Sequence, residues 1–186
     1  MNVLEVIQNA DLSIVRFVRE YVACPILDAL MPVVTHLGDK GILSLILAFA
    51  LIIVNKGKSR KAGAVMLTAI VLGFLIGNMG IKPLVQRQRP CWIDDIALLI
   101  PNPRDFSFPS GHSLCAFETA VPICMFFGKK WGAAAMTAAV LVAFSRLYLY
   151  VHFPTDILCG AVLGTLFAFA AKALFDILEK KKGIKL

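Results

Sequence analysis

Ionisable residues thin out over most of this chain, and that scarcity constrains its fold more than any motif does. Apolar runs cover residues 22–37, 42–54, 62–81, 111–127, 131–150 and 154–178, with polar breaks between them. A helix needs about 20 apolar residues to cross a hydrocarbon core of about 30 Å. Inside that core only helices and closed barrels satisfy their own backbone polar groups. Hydrophobic residues make up 59% of the chain and charged ones 17%, with mean hydropathy +0.78, which places it outside the soluble globular class. The expected fold is all-α: a polytopic six-transmembrane-helix bundle forming one domain over residues 1–186, without repeats or linkers.

The start of the first span is its weakest boundary, because residues 22–37 are few for a crossing and include Asp28. Ahead of it, Val3, Val6, Ile7, Ala10, Ile14, Phe17, Val18 and Tyr21 recur at helical spacing. Glu5, Asp11, Arg16, Arg19 and Glu20 occupy much of the other face. Residues 1–21 therefore read as an amphipathic N-terminal helix at the interface. Acidic Glu5 and the lack of a basic leader argue against a cleavable signal, so the first span is expected to target the chain.

The breaks between runs fix an orientation. Lys56, Lys58, Arg60 and Lys61, the Lys129-Lys130 turn and the tail Lys180-Lys181-Lys182 fall on one side if the spans alternate. The positive-inside rule makes that side cytoplasmic, C-terminus included. The net charge of +7 is thereby a topology signal, and no nucleic-acid partner is expected. The opposite, extracytoplasmic face of the cell membrane receives the turn at Gly38-Asp39-Lys40-Gly41, the segment Ser145 to Asp156, and the connection 82–110 between helices 3 and 4. With five prolines and several charges, that external loop is too long for a mere connector.

Charges at these boundaries need a reason, since an ionised side chain near the bilayer centre costs about 2.5–3.5 kcal/mol. Taken singly, Lys82 and Arg89 read as headgroup anchors, and Pro109-Ser110-Gly111-His112 as an ordinary capped helix start. A helix N-terminus is also an anion site. Arg146 can fix an anion, His152 can attack or shuttle a proton, and Asp156, four residues on, can orient that imidazole.

Together the motifs carry a resemblance. Lys82, six residues and Arg89-Pro90, then Pro109 to His112, then Ser145-Arg146, five residues, His152, three residues and Asp156 resemble the type 2 phosphatidic acid phosphatase family. That family shares its site with vanadium haloperoxidases, which are soluble and so poor matches for this composition. The resemblance implies that His152 attacks phosphorus to form a phosphohistidine and that Asp156 fixes its tautomer. His112 protonates the leaving oxygen and then activates water. Lys82, Arg89, Arg146, Ser110 and the Gly111 N–H hold the phosphate oxygens. Three cations and a helix terminus suffice for such a transfer. Neither metal nor other cofactor is expected, since Asp94-Asp95 lacks a histidine partner.

The partners expected are membrane lipids and a lipid phosphate or diphosphate substrate. Undecaprenyl diphosphate is favoured, with phosphatidylglycerol phosphate close behind and phosphatidate a further alternative. One departure bears on that order: the bacitracin-resistance branch often carries Asp where this chain has Gly111. A non-catalytic anionic-lipid transporter explains the cations but not two histidines and an aspartate. Smaller expectations are an interhelical or supporting role for Asn78, a paired Glu118 turned away from His112, and His36 and Asp39 on the outer rim. The five cysteines show no CxxC pairing and read as small apolar residues.

Overall fold

The computed structural model describes residues 2–54 and 57–182. Lys56 of the basic loop lies outside the described residues, as does Asn55 beside it. Among the described residues there are helices and no strands.

Helix α1 (Val3–Phe17) opens with a capping box: Asn2 accepts from the Glu5 N–H, and Glu5 accepts from the Asn2 N–H. It runs on as a π-helical turn over Val18–Val22. Helix α2 (Pro25–His36) starts on Pro25, which suits a first helical turn. Helix α3 is Ile42–Val54. Helix α4 (Lys58–Leu72) continues as a π-helix over Gly73–Ile81. The short helices α5 (Lys82–Val85) and α6 (Pro90–Ile93) lie in the long connection. Then come α7 (Gly111–Phe127), α8 (Lys129–Tyr148) and α9 (Pro154–Lys182).

Four stretches are long and apolar enough to cross a membrane: Pro25–Val54, Lys58–Ile93, Lys129–Tyr148 and Pro154–Lys181, with Gly111–Phe127 a shorter apolar helix. This differs from the expected six spans at one place. The break at residues 38–41 was expected as an external turn between two spans. Instead it kinks one helical run, with Lys40 at φ 51° and Gly41 at φ 66°. Alpha helices α2 and α3 make no sustained contact with each other, as a hairpin would. Gly38 meets His112 and Val142, and Gly41 meets Cys115. Beyond the kink, α3 packs chiefly on α4, and its Leu47 and Leu51 share a groove with Ile123 and Trp131. The physical reason is length: α2 and α3 have 12 and 13 residues, at 1.5 Å each too short to cross separately. A Gly-Asp-Lys-Gly sequence breaks a helix whether or not the chain then reverses.

The bundle is held by small residues. Ala62, Val65, Ala69, Val121, Phe126, Ala168 and Ala171 form a buried cluster between α4, α7 and α9, as expected where packing rather than hydrophobicity joins helices. Gly164 lets α9 ride against α7, for a Cβ there would stand 2.4 Å from the Leu114 carbonyl oxygen. At the end remote from residues 38–41, Lys61 pairs with Asp176 and Glu179 at 2.8 and 2.6 Å. At the other end, Asp94 receives Arg16 of α1 and the Tyr150 hydroxyl, each at 2.6 Å. Helix α1 therefore sits beside the long connection and leaves Val3, Leu4, Val6, Ile7, Ile14, Phe17 and Tyr21 exposed.

Candidate active site

Lys82, Arg89, Gly111, His112, Arg146 and His152 line one cavity of about 540 Å³, although up to 70 positions separate them in sequence. Lys82 caps the π-helix, Arg89 immediately precedes α6, Gly111 and His112 open α7, Arg146 lies in the last turn of α8, and His152 in the short link to α9. The α7–α9 contact and the kink at residues 38–41 bring these helix ends to one level.

His152 is 1% exposed. Its Nε2 lies 3.1 Å from Arg89 Nη1. A guanidinium can only donate, so Nε2 accepts and the ring proton resides on Nδ1. Nδ1 is 3.3 Å from Ser107 Oγ and 3.5 Å from Asp156 Oδ2. Ser107 in turn donates to Asp156 Oδ2 at 2.5 Å, and the Phe153 N–H donates to the same oxygen at 2.9 Å. The imidazole thus presents a lone pair to the cavity and a proton to the carboxylate. Burial first, then the charges of Arg89, Arg146, Lys82 and His112, hold its pKa well below the ordinary imidazole value of 6.5.

The cations do not stand alone. Asp105 accepts from Lys82 Nζ at 2.6 Å and from Arg89 Nη2 at 2.8 Å. Burial opposes ionisation of Asp105, but the Lys82 hydrogen bond and the Arg89 charge outweigh it and bring its pKa down to about 2. Arg89 also donates to the backbone carbonyls of Asp105 and Val151, both at 2.7 Å, which fixes its fork. Arg146 donates to Thr35 Oγ1 at 2.5 Å, while its Nε is buried without a partner among the described residues.

His112 bonds through Nε2 to Asp39 Oδ1 at 3.1 Å, and Asp39 Oδ2 also receives His36 Nδ1 at 2.6 Å. Asp39, expected on the rim, is therefore the partner of the second histidine. Ser110 caps α7, accepting from the N–H and hydroxyl of Ser113, and is fully buried. Its own N–H donates to the Asp156 carbonyl at 3.1 Å, which ties α7 to α9. Gly111 does line the cavity, where a Cβ would stand 3.1 Å from Asn78 Oδ1. Glu118, expected to be paired and turned away, also lines the cavity, and its Oε1 is buried with no hydrogen-bond partner among the described residues.

The sequence pattern passed over Asp105, Ser107 and Arg87. Arg87 lies between Lys82 and Arg89 and reads as another anchor, yet its Nη1 donates to Asp156 Oδ1 at 2.7 Å. Each of the three works through contacts 16 or more positions away, which no local spacing announces.

The sequence model of the PAP2 superfamily matches residues 41–179. The chain belongs to the PAP2 superfamily. Phosphatidylglycerophosphatase B of Bacillus subtilis is 32% identical over 94% of this chain and 87% of its own length. An undecaprenyl-diphosphatase of Sulfolobus acidocaldarius is 32% identical over 64% of this chain, which spans 58% of that relative's length. Among solved structures, the PAP2-type phosphatidylglycerolphosphate phosphatase of Bacillus subtilis superposes with TM-score 0.76 at 31% identity, covering 92% of this chain and 87% of that one. Aquifex aeolicus LpxE does so with TM-score 0.73 at 26% identity, over 87% and 94%. PAP2 membership makes this all-helical membrane protein a phosphatase.

Proposed function

We propose that the chain removes the terminal phosphate from a lipid phosphate or diphosphate at the outer membrane–water interface, through a phosphohistidine on His152. The observation that carries this reading is the shared cavity of Lys82, Arg89, Arg146, His112 and His152. The order of events follows from which groups can donate. Arriving phosphate oxygens take over the N–H groups of Arg89, Lys82 and Arg146, and Arg89 thereby releases the His152 Nε2 lone pair. Nε2 then bonds to phosphorus as the bond from phosphorus to the leaving oxygen breaks, and His112 gives that oxygen a proton. Asp156, through Nδ1–H, stabilises the imidazolium. In the second half His112 takes a proton from water, the water oxygen attacks phosphorus, and the P–N bond breaks to release inorganic phosphate.

In this reading the cavity faces the extracytoplasmic side, the C-terminus is cytoplasmic and α1 lies along the outer interface. The basic breaks at Lys58, Arg60 and Lys61 and at Lys129-Lys130 support that orientation, with the kinked Pro25–Val54 run, Lys58–Ile93, α7, α8 and α9 as crossings. Residues 82–110 form the external loop of the site. Undecaprenyl diphosphate is the substrate proposed first, because its recycling calls for a phosphatase on the outer side. Phosphatidylglycerol phosphate is the second reading, favoured by the similarity to phosphatidylglycerophosphatase B over 94% of the chain and by the close fit of Gly111 to Asn78. Phosphate release by purified protein from both lipids and from phosphatidate, beside His152→Ala, tests the proposal. A transporter would release none from any of them.

A further inference from the structure

We propose that Arg87 is the positioning residue of the His152–Asp156 pair, and that Asp11 of α1 holds Arg87 in place. This makes the N-terminal helix a working part of the catalytic apparatus. The inference rests on the assignment of His152 as nucleophile.

The geometry leaves Arg87 one aim. A guanidinium has five N–H groups, and here all five are engaged. Nε donates to Gln8 Oε1 at 3.1 Å, and Nη2 to the same oxygen at 2.7 Å and to Asp11 Oδ2 at 2.6 Å. Nη1 donates to Thr155 Oγ1 and to Asp156 Oδ1, both at 2.7 Å. The plane lies 4.0 Å from the centroid of the Phe153 ring. Asp11 is 2% exposed. Its Oδ1 accepts from the Thr155 N–H at 3.2 Å, and the Thr155 hydroxyl donates to Oδ2, the oxygen that Arg87 also reaches. Gln8 and Asp11 both belong to α1, so three of the five bonds run to a helix that lines no part of the cavity.

The consequence falls on Asp156. Its Oδ2 is set by Ser107 and the Phe153 N–H, but among the described residues its Oδ1 receives a side chain only from Arg87. Without that donor the carboxylate keeps only the two contacts on Oδ2, which leave it able to turn about its terminal bond and shift Oδ2 relative to His152 Nδ1. A displacement of about 1 Å in such a constellation costs on the order of 10²-fold in rate. Lysine supplies one point donor where the site uses a planar fork, so it can reach Asp156 or Asp11 but not satisfy both.

The test uses the full-length chain in detergent micelles, with phosphate release measured for wild type, His152→Ala, Arg87→Gln, Arg87→Lys, Asp11→Asn and Arg16→Gln. Arg16→Gln breaks the separate anchor of α1 to Asp94 and serves as the control for helix docking. Arg87→Gln is expected to lower kcat by about 10²-fold with KM within about twofold, Arg87→Lys to recover part of that loss, and Asp11→Asn to lower kcat less than Arg87→Gln does. A double variant carrying Arg87→Gln and Asp11→Asn, measured beside these, should lose no more than Arg87→Gln alone, because both act through one contact. Unchanged kcat in folded Arg87→Gln, a loss confined to KM, or an equal loss in Arg16→Gln and Asp11→Asn overturns the inference. The reading of His152 fails separately, if His152→Ala retains turnover.

Discussion

Arg89 Nη1 rests 3.1 Å from Nε2 of His152, on the lone pair that the proposed attack requires. Before phosphate arrives, the nucleophile is therefore capped by one of the groups that will bind its substrate. Asp105 completes this arrangement by occupying both Lys82 and Arg89, where it stands as an internal competitor of phosphate. Asp105→Asn removes the competing charge, and hydrogen bonds to charged groups are worth about 1.5–3 kcal/mol. Vanadate inhibition in that variant is expected at roughly tenfold lower concentration, a factor equal to about 1.4 kcal/mol. Weaker vanadate inhibition would show that Asp105 serves chiefly to position the cations.

The pH dependence of stability follows from His152. Its folded pKa lies well below 6.5, so below that pH the unfolded chain binds a proton that the folded one refuses. Unfolding then takes up protons, and stability falls as pH drops from the unfolded value towards the folded one. Thermal melting between pH 7 and pH 5 is expected to drop for wild type and to drop less for His152→Ala. Parallel curves would contradict a neutral buried imidazole. Asp105 cannot mimic this effect, because its depressed pKa of about 2 makes its contribution vanish only at pH values below the ordinary carboxylate range.

Glu118 offers a stability prediction of opposite sign. It is 1% exposed, its Oε1 lacks a partner among the described residues, and Gly73 makes room for it, since a Cβ there would stand 1.9 Å from that oxygen. A buried unsatisfied polar group costs about 1–3 kcal/mol. Glu118→Leu should accordingly raise the melting temperature of the protein in detergent. A fall would mean that the carboxyl is bonded to whatever fills the cavity.

What the sequence conveyed and what it withheld divide along chain separation. Lys82, Arg89, His112, Arg146, His152 and Asp156 were readable because their motif spacings are local and sit at helix ends. The ion cluster around Lys61 was only half readable: Lys61 belongs to a basic break between apolar runs, but its partners Asp176 and Glu179 lie 115 and 118 positions away. Asp39 looked like rim because its histidine partner is 73 residues distant. Ser110 was legible as a helix cap, but its contact with the Ser113 hydroxyl is visible only in the packing. The kink at residues 38–41 was indistinguishable from a turn, since the same Gly-Asp-Lys-Gly chemistry serves both, and only the absence of α2–α3 packing decides.

Charge compensation by protein cations has its own consequence. In the proposed mechanism Lys82, Arg89 and Arg146, which line the cavity, provide the positive field that a phosphoryl transfer needs. Phosphate release is expected to persist in EDTA and to be blocked by vanadate. Loss of activity on chelation, restored by a divalent cation, would contradict this.

The central claim is the covalent role of His152, and single-turnover trapping tests it most directly. Protein is mixed with lipid phosphate carrying a ³²P-labelled terminal phosphate, then quenched in alkali, which preserves an N–P bond. Wild type and His112→Ala are expected to retain label on the protein, the latter for longer, while His152→Ala retains none. Label on His152→Ala, or free phosphate released by it at the wild-type rate, would contradict the account.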